Sequence, residues 1–221
     1  MINKKITIIG LGYVGLSLAA FLGNQAKVIG IDSNKEKLRI IKKGESYFHE
    51  PKINYYLKKA IKNGTTFTDK ITNEITSSDF VFITVGTPIG KNGKIDLKNI
   101  KSVSKSIAKN MINLKNNPSI IIKSTVIPGT TMEVVKPILE KSNLKESIDF
   151  DLLTNPEFLK EGSAMQDTIL PHSIVIGGTN DKATKKLTYL YKSVYRKKQK
   201  IVETNNITAE MIKYANNAFL A

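Results

Sequence analysis

Three glycines near the start of the chain have the spacing of a phosphate-binding turn. Gly10, Gly12 and Gly15 form the pattern GxGxxG between a β-branched run at 5–9 and a second apolar run. In a dinucleotide fold the first glycine permits a tight turn, the second lets backbone approach the phosphates, and the third lets helix and strand pack closely. The following helix would then offer free N–H groups to an anion. A plain glycine turn could contain the same residues.

A carboxylate further along the chain favours the nucleotide interpretation. The segment KVIGID ends in Asp32, about twenty residues past the glycines, where the dinucleotide pattern places an acid that accepts from the adenosine ribose hydroxyls. An acid here, rather than a basic residue, favours NAD over NADP. We therefore predict an NAD site at this end of the chain.

Hydroxyls and carboxylates also follow three later apolar runs. The segments are VGTP at 85–88, STVIPGTT at 124–131 and TNPEFLKEG at 154–162. Glu157 and Glu161 are four residues apart, so a helical turn there would place both on one side. Such a pair suits acid–base chemistry, and a solvated pair of surface carboxylates is the alternative.

The last segment, at 206–221, has the periodicity of a helix. Lys213 and Asn217 are four residues apart and share one face, which could be a functional face or an ordinary solvent face. Neither glycine nor proline ends the pattern before Ala221, so we expect the helix to continue and a second half to follow.

Composition excludes several classes of protein. With 221 residues and 41% hydrophobic content the chain can bury a core, and its net charge of +15 comes from lysines spread along the length, with only Arg39 and Arg196 as arginines. We predict no nucleic-acid partner, and no membrane partner because there is no leader or long apolar run; the expected location is the cytoplasm. The absence of cysteine excludes disulfides, thiolate metal sites and a cysteine nucleophile in this chain, and we predict no metal site.

Alternating strand and helix patterns position these residues. Strands are predicted at 5–9, 27–32, 65–68, 80–85, 119–126, 150–157, 173–178 and 200–204, and helices at 34–43, 52–63, 97–110, 130–141, 181–193 and 206–221, besides the helix after the glycine turn. This order predicts an α/β fold with a doubly wound, mostly parallel Rossmann-type sheet and helices on both faces. We predict a cofactor domain at 1–205 and the start of a long central helix at 206–221.

Five motifs in this order resemble the NAD-binding portion of the UDP-glucose 6-dehydrogenase family: GLGYVGL, VGTP, STVIPGT, NPEFLKEG followed by IVIGG, and AEMIKYANNAFLA. The resemblance covers essentially the whole chain. It implies a nucleotide-sugar substrate, UDP-glucose or a related sugar, whose 6-hydroxyl is oxidised twice with reduction of two NAD. It also implies a homodimer for the full-length protein, built largely on the long helix, and a monomer or weak associate for this chain.

The resemblance further implies roles for individual residues. The cofactor set is Gly10, Gly12, Tyr13, Val14, Gly15, Asp32, Lys37, Gly86, Thr87, Thr125 and Glu161. The substrate set is Glu157, Phe158, Leu159, Lys160, Glu161, Lys213 and Asn217. In the catalytic set, Thr125 would hold a water, Glu157 would be the base that hydrolyses a covalent intermediate, and Lys213 with Asn217 would stabilise an oxyanion. The family's cysteine nucleophile lies in a second domain.

Some residues depart from the family pattern or have no role in it. Ser173 stands where the family commonly has arginine, Lys52 stands where a glycine is usual after EP, and His49 and His172 have no assigned function. Two other functions remain open. One is a β-hydroxyacid or 6-phosphogluconate-type dehydrogenase, against which NPEFLKEG argues, and the other is a non-catalytic NAD-binding module.

Overall fold

The computed structural model describes residues 2–71, 73–90, 93–111, 114, 116–141, 143–160, 162–195 and 199–220. Within them, eight strands form a single sheet: β1 (Lys5–Ile9), β2 (Lys27–Ile31), β3 (Thr66–Thr68), β4 (Phe80–Ile83), β5 (Ser119–Ile122), β6 (Asp151–Thr154), β7 (Ile174–Gly178) and β8 (Ile201–Asn205). The helices are α1 (Tyr13–Leu22), α2 (Lys35–Ile41), α3 (Ile53–Lys62), α4 (Lys98–Asn110), α5 (Lys136–Glu140), α6 (Ala164–Ile169), α7 (Asp181–Val194) and α8 (Asn206–Leu220). A 3₁₀ turn (Asn73–Ser77) and a π-helical segment (Thr131–Val135) complete the list.

The strand order across the sheet is β3-β2-β1-β4-β5-β6-β7-β8. The first six strands in the chain are parallel to one another, β7 is antiparallel to β6, and β8 is parallel to β7. The carboxyl ends of β1, β2, β4, β5 and β6 therefore meet at one edge of the sheet, which we call the rim. The predicted doubly wound, mostly parallel sheet is confirmed.

Alternation along the buried strands divides the interior into two hydrophobic cores. In β4, Phe80 and Phe82 pack with side chains of α1 and α7, whereas Val81 and Ile83 pack with side chains of α4 and α5 on the opposite face. Successive side chains of a strand point to opposite faces, so a fully apolar strand fills both cores. Helices cover both faces of the sheet, so the polar side chains that follow the strands lie at the rim.

The structure corrects three expectations. Residues 155–160 contain no helix, so the helical turn that would have paired Glu157 with Glu161 is wrong, and Glu161 itself lies outside the described residues. The helix predicted at 130–141 is a π-helical segment followed by the short α5. The short helix α6 and the 3₁₀ turn were not predicted.

Helix α8 packs polar side chains against the domain. Glu210 and Lys213 are buried beside Ala209, while Met211 is 53% and Phe219 91% exposed. Buried charges on a helix require partners, and both of these residues find them at the rim. Among the described residues, no helix has the length and apolar character needed to cross a membrane.

Candidate active site and cofactor cleft

The three glycines of the β1–α1 turn each meet a different steric demand. Gly10 has a φ of +94°, a conformation that side chains disfavour. A Cβ on Gly15 would lie 1.9 Å from the Gly10 carbonyl oxygen, so only glycine lets α1 pack this closely on the turn. A Cβ on Gly12 would meet no atom within 4 Å, because this residue faces an open cleft. Only the Gly12 position leaves room for a ligand beside the backbone, as the pyrophosphate pattern requires.

Asp32 lies at the end of β2 and is oriented by backbone donors. One carboxylate oxygen accepts from Leu11 N at 2.8 Å and the other accepts from Asn34 N at 2.9 Å. These bonds fix the acid beside the glycine turn and leave free lone pairs on both oxygens. The predicted neighbour Lys37 lies over the Tyr47 ring, with its Nζ 4.7 Å from the ring centroid.

Tyr47 packs beside the glycine turn. Its hydroxyl donates to the Leu11 carbonyl at 2.9 Å, and burial of the phenol is the main factor that raises its pKa. The phenol therefore keeps its proton near neutral pH and remains a donor. Nothing in the sequence pattern had singled out Tyr47, which is an ordinary residue of a loop between α2 and α3.

The open cleft has a volume of about 760 Å³ and runs from the glycine turn to the face of α4. Of the predicted cofactor residues, it is lined by Gly10, Gly12, Asp32, Lys37 and Gly86. Asn99 on α4 donates to the Gly86 carbonyl at 2.9 Å and so holds the end of β4. Backbone N–H groups at a helix start, an anchored carboxylate and a lysine fit a dinucleotide with a pyrophosphate and a ribose diol.

Hydroxyl groups join the strand ends at the middle of the rim. Thr87 donates to the Thr125 carbonyl at 2.6 Å, and Ser124 donates to the Val85 carbonyl at 2.6 Å. The structure thus brings together two segments that the sequence analysis had placed on one rim. Thr125 is half-buried, and its backbone position is fixed by the bond from Thr87.

The Glu157 carboxylate forms an ion pair with Lys213 at the next position along the rim. The Lys213 Nζ lies 3.1 Å from one Glu157 oxygen, and the two side chains are only 7% and 13% exposed. The other Glu157 oxygen accepts from Leu159 N at 2.5 Å. Lys213 Nζ also lies 5.4 Å from the Phe158 ring centroid. Removing either charge would leave the other poorly compensated.

The other predicted substrate residues surround this pair. Phe158 and Leu159 belong to the irregular segment 155–160 rather than to a helix, and both are half-buried.

 

Lys160 and Asn217 are exposed at the border of the same region. The Lys160 backbone N–H donates to an Asp167 oxygen at 3.0 Å, which ties the irregular segment to α6. Asn217 is one turn beyond Lys213 on α8 and faces outward. The predicted face of Lys213 and Asn217 therefore has one buried member and one exposed member.

Lys123 is a member of this cluster that sequence reasoning missed. Its Nζ donates to the Asn155 Oδ1 at 3.0 Å, and the Tyr191 hydroxyl donates to the same oxygen. Burial lowers the pKa of Lys123 to about 8; the nearby Glu157 charge raises it and the Lys213 charge lowers it further. A lysine directly after the apolar strand β5 was the only signal in the sequence.

A second, smaller cavity of about 160 Å³ lies behind the irregular segment. Val14, Lys123, Glu157 and Phe158 line it, and so do Ser173 and His172 at the start of β7. Val14 thus faces this cavity, at the start of α1. His49 is exposed on the loop before α3.

Lys52 precedes α3 in a left-handed conformation, with a φ of +66°. A glycine adopts that conformation without steric cost, so the departure at this position places a lysine in a strained backbone. In the part of the chain that the structure describes, no group of three or more histidine, aspartate or glutamate side chains could hold a metal ion.

Comparison with known proteins identifies the family. The model of the NAD-binding domain of the UDP-glucose/GDP-mannose dehydrogenase family matches residues 4–195. The chain belongs to this family. The match contains the glycine turn, the cleft and the segment of Glu157, whereas Lys213 and Asn217 lie after it.

Curated relatives of this dehydrogenase family act on more than one nucleotide sugar. UDP-glucose 6-dehydrogenase TuaD of Bacillus subtilis (strain 168) is 38% identical over 222 residues, which are 99% of this chain and 46% of that protein. GDP-mannose 6-dehydrogenase of Pseudomonas syringae pv. syringae is 37% identical over 98% of this chain and 50% of that protein. The chain spans about half the length of the curated relatives it matches.

Solved structures of the family share the fold closely. A GDP-mannose dehydrogenase from Pseudomonas aeruginosa, in a ternary complex, superposes with a TM-score of 0.92 at 34% identity, over 97% of this chain and 49% of that one. A UDP-glucose dehydrogenase from Pyrobaculum islandicum gives 0.89 at 30% identity, over 99% and 50%. A 3-hydroxyisobutyrate dehydrogenase from Salmonella typhimurium, at 13% identity and a TM-score of 0.62, shares the fold alone.

Proposed function

We propose that this chain is the cofactor-binding half of an NAD-dependent UDP-glucose 6-dehydrogenase. The observation that carries the proposal is the buried Glu157–Lys213 pair on the same rim as the glycine turn. The cleft supplies a dinucleotide site, and the ion pair supplies a carboxylate and a cation next to it. Relatives that oxidise nucleotide sugars support the same assignment.

Some residues of the rim would bind the cofactor, and others would act on the sugar. The backbone at Gly12 would hold the pyrophosphate, and Asp32 would accept from the adenosine ribose hydroxyls. A bound nicotinamide supplies the hydride acceptor. Lys213 would stabilise negative charge on the reacting sugar oxygen, and Glu157 would take a proton from the hydrolytic water held near Thr125.

The choice of UDP-glucose rests on the segment NPEFLKEG, residues 155–162, which resembles the UDP-glucose branch. GDP-mannose is the second candidate, because a GDP-mannose 6-dehydrogenase is nearly as similar to this chain as a UDP-glucose 6-dehydrogenase is. The rate of NADH formation by the complete protein with each sugar separates the two. We expect two NADH per UDP-glucose, and a faster reaction with GDP-mannose would overturn the choice.

The proposed partners follow from the same family. We propose that the complete protein is a homodimer built largely on the helix to which α8 belongs, in keeping with the exposed Met211 and Phe219 on α8. The 221-residue chain should then be a monomer or a weak associate. A tight, concentration-independent dimer in sedimentation would show a different interface.

The cofactor assignment is tested by titration calorimetry of this chain with NAD and NADP. Asp32 should accept from the ribose diol and repel a 2′-phosphate, so NAD should bind more tightly than NADP. Asp32→Asn should weaken NAD binding by roughly tenfold or more, as loss of a charged hydrogen-bond acceptor predicts. Asp69→Asn is the matched control, because Asp69 lines the same cleft and carries the same charge. Equal or reversed preference for NADP would contradict the assignment.

A further inference from the structure

The Tyr13 hydroxyl lies where three separate segments of the chain meet. It donates to a Glu50 oxygen at 2.7 Å and accepts from the Gly162 N–H at 2.7 Å, with the Lys160 carbonyl 3.0 Å away. Tyr13 is the first residue of α1 and belongs to the glycine turn, whereas Lys160 and Gly162 belong to the segment that follows Glu157. One phenol thus joins the cofactor turn to the proposed sugar segment.

Glu50 completes the connection from the other side. Its side chain is buried, with the residue only 5% exposed, and its second oxygen accepts from Met165 N at 3.1 Å. Met165 lies in the first turn of α6, directly after the sugar segment. Both oxygens of this carboxylate are therefore engaged, one with the cofactor turn and one with α6.

Aromatic packing holds the phenol in place. The Tyr13 ring lies 5.0 Å from the Phe48 ring, and Phe48 lies 5.0 Å from Tyr47, whose hydroxyl bonds back to Leu11 in the glycine turn. Burial and the bond to Glu50 raise the pKa of Tyr13 to about 12, so the phenol keeps the proton that it donates. Phe48 and Glu50, both from the loop before α3, thus contact the Tyr13 ring and its hydroxyl.

The sugar segment depends on such contacts because it has no regular structure of its own. Residues 155–160 are neither helix nor strand, and two of their backbone donors bond to side chains: Leu159 N to Glu157 and Lys160 N to Asp167. Gly162 N adds the bond to Tyr13. The bond to Tyr13 is the one among these that reaches the cofactor turn.

We propose that Tyr13 and Glu50 are positioning residues that couple occupation of the glycine turn by NAD to the placement of the sugar segment, residues 157–160 and 162–163. The proposal rests on the proposed cofactor function. When NAD fixes the N-terminal turn of α1, the Tyr13 hydroxyl is fixed with it, and the bonds to Gly162 and Glu50 transmit that order to the segment. Binding at one site then favours the arrangement that the other site needs.

The test is hydrogen exchange of this chain with and without saturating NAD, followed in peptides that cover 157–165. In the wild type, NAD should slow exchange in these peptides. In Tyr13→Phe and in Glu50→Gln, the NAD-dependent slowing should fall by about fivefold, the equivalent of one lost hydrogen bond. Tyr55→Phe is the matched control, because Tyr55 is 64% exposed on α3, and it should behave as wild type.

The outcomes separate this proposal from the proposed function. If NAD fails to bind the wild type, the cofactor function and the coupling are both overturned. If NAD binds but leaves exchange at 157–165 unchanged in the wild type, or slows it as much in Tyr13→Phe and Glu50→Gln as in the wild type, the coupling alone is overturned. A merely structural role would speed exchange in the variants without NAD and leave the NAD-dependent slowing intact, which also overturns it.

Discussion

At the scale of single residues, the Glu157 carboxylate is held by groups from distant parts of the chain. Lys213 comes from α8 and binds one oxygen, while the backbone of Leu159 binds the other. Lys123 is close enough to feel the charges of both Glu157 and Lys213, and it lines the same small cavity as Glu157. Two lysines and one glutamate thus share a poorly solvated region, and their charges must influence one another.

The titration of Lys123 tests this electrostatic coupling. We expect its side chain to titrate near 8, because burial disfavours the ammonium form. Glu157→Gln should lower the pKa further by removing the charge that raises it, and Lys213→Met should raise it. Nuclear magnetic resonance of ¹³C-labelled lysine side chains measures the midpoints. A midpoint near the ordinary value of 10.5 would contradict the burial.

The same shift fixes the sign of a stability effect. The folded-state pKa of Lys123 lies below the unfolded value of 10.5, so the unfolded chain binds more protons between about 8 and 10.5. The contribution of Lys123 to the free energy of unfolding should therefore rise with pH across that window. Below about 8 the full cost of burying the ammonium remains.

Sequence alone could supply some members of this cluster and none of its contacts. Glu157 and Lys213 were identified by resemblance. Their ion pair, however, joins residues 56 positions apart in the sequence, and it forms only because of the path that the irregular segment follows. Lys123 was missed because a lysine after a strand usually reaches solvent. Here the fold places Asn155 and Tyr191 around it instead.

At the scale of elements, the β1–α1 turn contains one glycine that the ligand requires, Gly12, and another that the fold requires, Gly15. Gly12→Ala should keep the free energy of unfolding, since its φ of −71° suits alanine and the added Cβ meets no protein atom. The same Cβ would occupy the approach of the pyrophosphate, so NAD affinity should fall by about tenfold or more, equivalent to about 1.4 kcal/mol or more. Calorimetric titration and urea unfolding measure the two effects.

Gly15→Ala is the matched variant with the opposite profile. Its Cβ would lie 1.9 Å from the Gly10 carbonyl oxygen and 2.5 Å from the Thr84 hydroxyl, so α1 must move. Overpacking of this kind costs about 1–3 kcal/mol or more. Equal loss of stability in both variants would refute the assignment of separate roles to the two glycines.

The hydrophobic pattern predicted most strands and helices because a long apolar run must be buried, which determines the side of the strand or helix that faces the core. It failed at 155–160, because the strand predicted to reach residue 157 ends at Thr154 and the helical turn considered for Glu157 and Glu161 does not form. The Asn155 side chain donates to the Val175 carbonyl, and Pro156 lacks a backbone donor. The Glu157 side chain accepts from the Leu159 N–H. Side chains that satisfy the backbone locally compete with a helix.

At the scale of the whole molecule, the reversal of β7 is the feature of the sheet that the pattern did not reveal. Among the described residues that connect β6 to β7, the single helix is the six-residue α6. A parallel return would require a crossover along the full length of the sheet. The reversed strand instead starts at the rim, where Ser173 and His172 join the lining of the small cavity.

The whole chain also carries a prediction about turnover. It contains Glu157, Lys213 and a cofactor cleft but no cysteine, so it has no thiol to form the covalent intermediate that the family resemblance implies. We expect negligible UDP-glucuronate from this 221-residue chain with UDP-glucose and NAD. Activity should appear when the cysteine-containing half of the family is supplied.

The measurement is NADH formation from UDP-glucose at high protein concentration, with calorimetric NAD binding as the control for a folded cleft. Ser124 and Thr125 carry hydroxyls on the rim that could replace a thiol, but Ser124 already donates to the Val85 carbonyl, and a hydroxyl nucleophile needs an adjacent base. NAD binding without NADH would therefore agree with a chain that positions the cofactor only. Two NADH per sugar would show that a group other than cysteine carries the second oxidation, and the division of labour proposed for the two halves would be wrong.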